Sequence, residues 1–191
     1  MFLLASPLRD ILLHEGGGST AISGFLHPLL GFDHLLAMVT VGLLSAQLGG
    51  RAIWTVPATF VGVMALAGVA GYVGVPLPGV EIGIAVSVIV LGAALFSQRK
   101  FPEAIAMVFV ALFSIFHGHA HGAELGTVNS PMDVVAYVLG FMTATAGLHV
   151  IGALIGYLLL RNDRSAQVLR WSGAVIALVG VWIFVGVVFP A

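Results

Sequence analysis

The chain has 191 residues, 60% of them hydrophobic and 8% charged, with a mean hydropathy of +1.12, so as a soluble globule it would lack the polar surface to cover itself. A net charge of −1 gives no basis for binding nucleic acid, and the absence of Cys excludes disulfides, thiolate metal sites and thiol catalysis together. An all-α integral membrane protein is expected, because 25 glycines suit close-packed helices better than the alternating strands of a barrel.

Residues 1–20 read as an N-terminal tail, a brief apolar run broken by Pro7 and Arg9-Asp10 and ending in Gly16-Gly17-Gly18. It has no basic n-region or clear cleavage site of a signal peptide. Residues 21–191 form one transmembrane domain, a bundle of six helices, since a span needs about 20 apolar residues. The expected spans are 21–48, 52–73, 80–96, 102–121, 133–160 and 168–189. Gly49-Gly50-Arg51, the turn from Gly74 to Gly79, Gln98-Arg99-Lys100, and the stretches 126–131 and 161–164 punctuate them.

Arg51, Arg99, Lys100, Arg161, Arg164 and Arg170 fall on one side of this arrangement and only Arg9 on the other. Retention of basic residues in the cytoplasm then puts both termini outside. The outer segments carry Glu81, Glu124 and Asp133, an acidic mouth that draws cations. Spans 1 and 4 each bear a His and carboxylate cluster and run antiparallel, which fits an inverted 3+3 repeat.

The first cluster is His27-Pro28-Leu29-Leu30-Gly31-Phe32-Asp33-His34. Ionisable groups within spans are rare and usually functional. His27 and His34 would stand about 10 Å apart along a regular helix, too far to share an ion. A bend is therefore expected between Pro28 and Gly31, with Pro28 in the first turn of a helix and His27 just outside it. Met38, one turn beyond His34, is a structural residue or a weak ligand.

In the second cluster His117, His121 and Glu124 lie at i, i+4 and i+7 on one helix face, with His119 on the opposite face. Two imidazoles and a carboxylate suit Zn, Ni, Co or Cu(II). Gly118 and Gly122, also four apart, admit a close neighbouring helix. Depth arithmetic puts both clusters in the same outer layer. Glu81 reads as a ligand or gate residue, or else as a carboxylate at a helix N-terminus. His149, deeper in span 5, reads as a hydrogen-bonded core histidine or a relay toward the cytoplasm.

His27-x5-Asp33-His34, flanked by Gly24-Phe25 and Ala37-Met38, together with Phe116-His117-Gly118-x-Ala120-His121-Gly122-x-Glu124, resembles the two signature motifs of the HupE/UreJ family of nickel and cobalt permeases. The resemblance implies a small bacterial permease of the inner or plasma membrane that takes up Ni2+, or Co2+, without an ATPase partner. By position, its motif residues are His27, Asp33, His34, His117, His121 and Glu124, and His119 occupies a variable place. Members commonly carry a leader and a His-containing N-terminus, whereas here only His14 precedes the first motif.

No resident cofactor is expected, only the divalent ion as substrate and lipid as surroundings. The sole Lys, Lys100, is not in a phosphate-binding loop, so the energy is expected to come from a gradient or from a partner. An intramembrane Zn-dependent hydrolase, and behind it a haem-binding membrane protein, are the competing readings.

Overall fold

The computed structural model describes residues 21–126, 128 and 130–190. Seven helices account for nearly all of them: α1 (Ala21–Leu30), α2 (Phe32–Leu48), α3 (Ala52–Tyr72), α4 (Val80–Ser97), α5 (Glu103–Leu125), α6 (Pro131–Leu159) and α7 (Asp163–Val188). Each of α3 to α7 is long and apolar enough to cross a membrane. Helices α1 and α2 qualify only together, giving five spans among the described residues, or six with the broken pair. The tail expected at 1–20 lies outside the described residues.

Local chemistry explains where the later helices start. Ser130 caps α6 by accepting from the Asp133 amide at 3.4 Å, with Pro131 at the first helical position. The Asn162 side chain accepts from the Ser165 amide at 3.0 Å and starts α7 at Asp163, ahead of the 168 expected from hydropathy alone. Helix α5 continues to Leu125, so Glu124 is a helical residue.

The first span departs furthest from expectation. Its two helices meet at 83° across Gly31, whose backbone is extended at φ −78° and ψ 106°. The bend falls in the expected stretch, but Pro28 does not open a helix: it sits in the last turn of α1, and His27 lies inside that helix. Tertiary contact overrides the local signal. Gly24 rests on the Tyr137 backbone, and Gly140 on that of Ala21 and Phe25, so α6 holds α1 as a helix well before the proline. Helix α2 restarts with the Leu35 amide bonding the Gly31 carbonyl at 2.8 Å.

Lipid provides no hydrophobic force between helices, so close packing must do that work. The principal helix pairs accordingly meet through glycines. Gly118 and Gly122 of α5 lie on the Met64 and Gly68 backbone of α3, and Gly92 of α4 faces Gly173 of α7. Gly42 of α2 abuts Gly152 of α6. The outer faces are apolar, with Trp54, Leu66, Leu112, Leu139, Leu154 and Leu178 exposed, as expected of a surface solvated by acyl chains.

The two ends of the bundle differ in charge. One end gathers the α2–α3, α4–α5 and α6–α7 connections, with Thr55 Oγ1 donating to Glu103 at 2.7 Å and Gln98 Nε2 to the Ala166 carbonyl at 3.4 Å. Arg51, Arg99, Lys100, Arg161, Arg164 and Arg170 all belong to this basic end. Arg161 stacks 5.2 Å from the Tyr157 ring and Arg170 4.8 Å from that of Phe96, the aromatic and basic mixture that suits a lipid headgroup layer. The opposite end holds both histidine clusters.

Candidate metal centre

The break at Gly31 turns a separation along the chain into a convergence. From α1, His27 sets its ring 4.7 Å from His121, edge to face; from α2, His34 reaches within 4.5 Å of His121 and 4.7 Å of His117. On α5, His117 and His121 are one turn apart, and both face inward. Four imidazoles from three helices thus form one contiguous group.

Glu124 completes the group at its outer rim. Its Oε2 lies 3.7 Å from His27 Nε2 and 3.8 Å from His121 Nδ1. One donor atom from each of His27, His121 and Glu124 falls within 4.8 Å of the other two. Tetrahedral coordination at metal–donor distances near 2.1 Å needs donors about 3.4 Å apart, so the two imidazoles would close on Glu124 by a few tenths of an ångström and on each other by up to about 1.4 Å to seat an ion. Side-chain exposure falls from 48% at Glu124 and 22% at His27 to 6% at His121, and His117 is fully buried. An ion entering at the rim would meet progressively drier donors.

Asp33 and Ser87 determine how the inner two imidazoles face. Asp33 Oδ1 accepts from the His34 amide at 2.8 Å and lies 2.9 Å from His34 Nδ1. An Nδ1–H donated to that carboxylate leaves the Nε2 lone pair for a metal, the usual arrangement of an oriented histidine ligand. His34 Nε2 is buried with no hydrogen-bond partner. Ser87 Oγ donates its one proton to the Ile84 carbonyl at 2.6 Å, so it can only accept from His117 Nε2, 2.9 Å away. That hydrogen-bond pattern assigns the proton to Nε2 and leaves His117 Nδ1 as a lone pair, likewise buried and unpartnered.

Aromatic rings line the group. Phe141 lies 4.2 Å from His121, Tyr137 5.9 Å from His27, and Phe60 5.6 Å from His117. Ser87, Phe60, Phe141 and Tyr137 carried no signal in the sequence, because a serine or an aromatic residue in an apolar span looks like ordinary packing.

The other residues singled out from the sequence are dispersed. Glu81 is exposed in the first turn of α4 and is not a member of the His27, His121 and Glu124 group. Met38 is fully buried in the apolar core. His119 points away, with Nε2 2.6 Å from the Val75 carbonyl in the α3–α4 connection. His149 is buried in the middle of α6, 5.2 Å from Phe60.

Comparison with known proteins agrees with the motifs. Residues 3–183 match the family described as HupE / UreJ protein. Protein HupE of Rhizobium leguminosarum bv. viciae is 43% identical over 175 residues, covering 91% of this chain and 87% of that relative. No solved structure matches. A family match over almost the whole length, and a relative this similar over nine-tenths of the chain, place this multi-pass membrane protein in the HupE/UreJ family.

Proposed function

We propose that this chain is a permease that carries Ni2+, or the chemically similar Co2+, inward across a bacterial inner or plasma membrane. The observation that carries the proposal is the convergence of His27, His34, His117, His121 and Glu124 at one end of the bundle, graded from exposed to dry. Nitrogen and oxygen donors suit first-row divalent ions, and membership of the HupE/UreJ family favours transport over Zn-dependent hydrolysis or haem binding.

With the basic end in the cytoplasm, both termini lie outside and the histidine end faces the periplasm or medium. Every Lys and Arg among the described residues sits at the basic end, whereas Glu81, Glu124 and Asp133 sit at the other. Glu81 thus contributes to a field that concentrates cations at the mouth. The ion sheds water first to His27, His121 and Glu124, then to His34 through Nε2 and His117 through Nδ1. Asp33 holds His34 in position and offsets the ion's charge. Exchange between neighbouring imidazoles lets each new bond form as an old one breaks, which keeps binding from becoming a trap.

No ATPase subunit or resident cofactor is needed. A divalent ion gains about 4.6 kcal/mol per 100 mV of membrane potential, roughly a 2,000-fold accumulation at equilibrium. The helix pairing also fits an inverted 3+3 repeat. Exchanging α2 with α5, α3 with α6 and α4 with α7 carries the α3–α5 packing onto α6–α2 and the α4–α7 packing onto itself.

The test is Ni2+ uptake into vesicles reconstituted with the purified protein, under a potential set by K+ and valinomycin. Uptake that rises with negative internal potential and falls at least tenfold in His121→Ala is expected; potential-independent uptake, or a fully active His121→Ala, refutes the scheme.

A further inference from the structure

Among the described residues, His149 is the one buried histidine away from the outer group. It is 1% exposed, and neither ring nitrogen has a hydrogen-bond partner among the described residues. Thr145, one turn earlier on the same face of α6, is fully buried, and its Oγ1 is likewise unpartnered. Leaving a hydroxyl and an imidazole buried without partners costs about 1–3 kcal/mol for each group. Polar groups left unpartnered inside a span call for an explanation, and a bound ion or water supplies one.

Its position follows from the helix it shares with the outer group. Tyr137, Phe141, Thr145 and His149 recur every four residues along α6, and the first two touch His27 and His121. Eight residues carry His149 about 12 Å below the level of His121, while His117 lies about 6 Å below it on antiparallel α5. His149 is therefore one helical turn further in than His117. Between them stands Phe60, fully buried, with its ring centroid 5.6 Å from His117 and 5.2 Å from His149.

We propose that His149 and Thr145 form an inner binding station for the transiting ion, separated by the Phe60 ring from the outer imidazole group. This rests on the transport reading above. The station offers one imidazole nitrogen and one hydroxyl oxygen, both neutral, and so binds a first-row divalent ion more weakly than the outer group of four imidazoles and the Glu124 carboxylate does. Descending ligand number toward the cytoplasm favours release inward. The hydroxyl also suits an ion that arrives with part of its water shell, because Thr145 can bond a retained water.

The test compares binding with transport in the full chain, using Ni2+ as the probe. His149→Leu should keep the wild-type dissociation constant to within about threefold while the uptake rate into vesicles falls about tenfold or more. Thr145→Val, its isostere, should lower uptake by a smaller factor at unchanged binding. Wild-type uptake by His149→Leu overturns the station, and so does a parallel loss of binding and uptake, which would make His149 part of the outer group.

A second measurement covers a His149→Leu chain that fails to fold. In a His34→Ala/His121→Ala background, excess Co2+ should give a visible absorption band that disappears when His149→Gln is added. Persistence of that band refutes the inner station. Absence of wild-type Ni2+ uptake would instead sink the transport reading, leaving the Co2+ band to decide the station by itself.

Discussion

Replacing Asp33 by Asn removes one negative charge while keeping the shape that orients His34. The Asp33 Oδ1 contacts to the His34 amide and to Nδ1, 2.8 and 2.9 Å, can both be made by an amide oxygen. What changes is the field at the metal. From that carboxylate across the imidazole to an ion on Nε2 is about 7 Å, where one negative charge attracts a divalent ion by about 5 kcal/mol at an effective dielectric constant of 20 and by about 1 kcal/mol in water. The Asp33 side chain is 27% exposed, so the attraction lies between these limits. Loss of outer-shell partners typically costs 10- to 100-fold in metal affinity, about 1.4–2.7 kcal/mol, within the same window. Asp33→Asn should therefore weaken Ni2+ binding 10- to 100-fold by titration calorimetry. Its Co2+ absorption band should hold its position, since the ligand atoms are unchanged. Asp33→Ala, which also frees the ring to turn, should be worse. An Asn variant with wild-type affinity would falsify the charge contribution, and one whose Co2+ band shifts as it does when a direct ligand is lost would make Asp33 a ligand itself.

Other substitutions probe the neighbouring parts. Gly31→Ala places a Cβ 3.3 Å from His34 Nδ1 and 3.5 Å from Asp33 Oδ1, so the imidazole must give by a few tenths of an ångström; Ni2+ uptake should fall several-fold with thermal stability little changed. Ser87→Ala deprives His117 Nε2–H of its acceptor, and Ni2+ affinity should drop about tenfold as the ring loses its preferred tautomer; equal affinity in calorimetry would mean that His117 takes no part. Gly122→Ala puts a methyl on the Gly68 carbonyl of α3 and should lower stability in detergent by about 1–3 kcal/mol, whereas Gly62→Ala, where nothing lies within 4 Å, should be silent in the same melt.

What could be read from the sequence was whatever depends on spacing within one helix. His117, His121 and Glu124 share a face because 3.6 residues make a turn, and hydropathy located the spans because lipid demands long apolar helices. The need for a bend between His27 and His34 came from the same arithmetic. The form of that bend could not be read, because it is decided between helices: Gly24 against Tyr137 and Gly140 against Ala21 hold α1 in place, and no local pattern encodes those contacts. The tautomer of His117 was hidden for a similar reason. Ser87 lies on another helix, and only the third dimension sets its hydroxyl against the ring.

The break at Gly31 also bears on how an ion could pass. A regular helix would have put His27 and His34 about 10 Å apart in depth, with the six residues from Pro28 to Asp33 between them. Turning the chain by 83° brings both rings onto His121, so that single imidazole is flanked from two sides. His121 is then the natural point of exchange: an ion held with His27 and Glu124 can acquire His34 before it gives up the carboxylate, and no stage leaves a bare divalent ion in an apolar span. The geometry makes the sharper demand on α1. Helix α1 fixes His27, Gly24 anchors α1 to α6, and α6 also carries Thr145 and His149 further in. Any tilt of α6 would therefore move the outermost imidazole and the innermost one together. On the transport reading proposed above, release of the ion below Phe60 and opening of the rim at His27 would then be linked events, the kind of coupling that alternating access requires. Gly24→Ala, whose methyl would fall on the Tyr137 carbonyl, should prise α1 from α6 and lower uptake several-fold; wild-type uptake would show that the two helices need not move together.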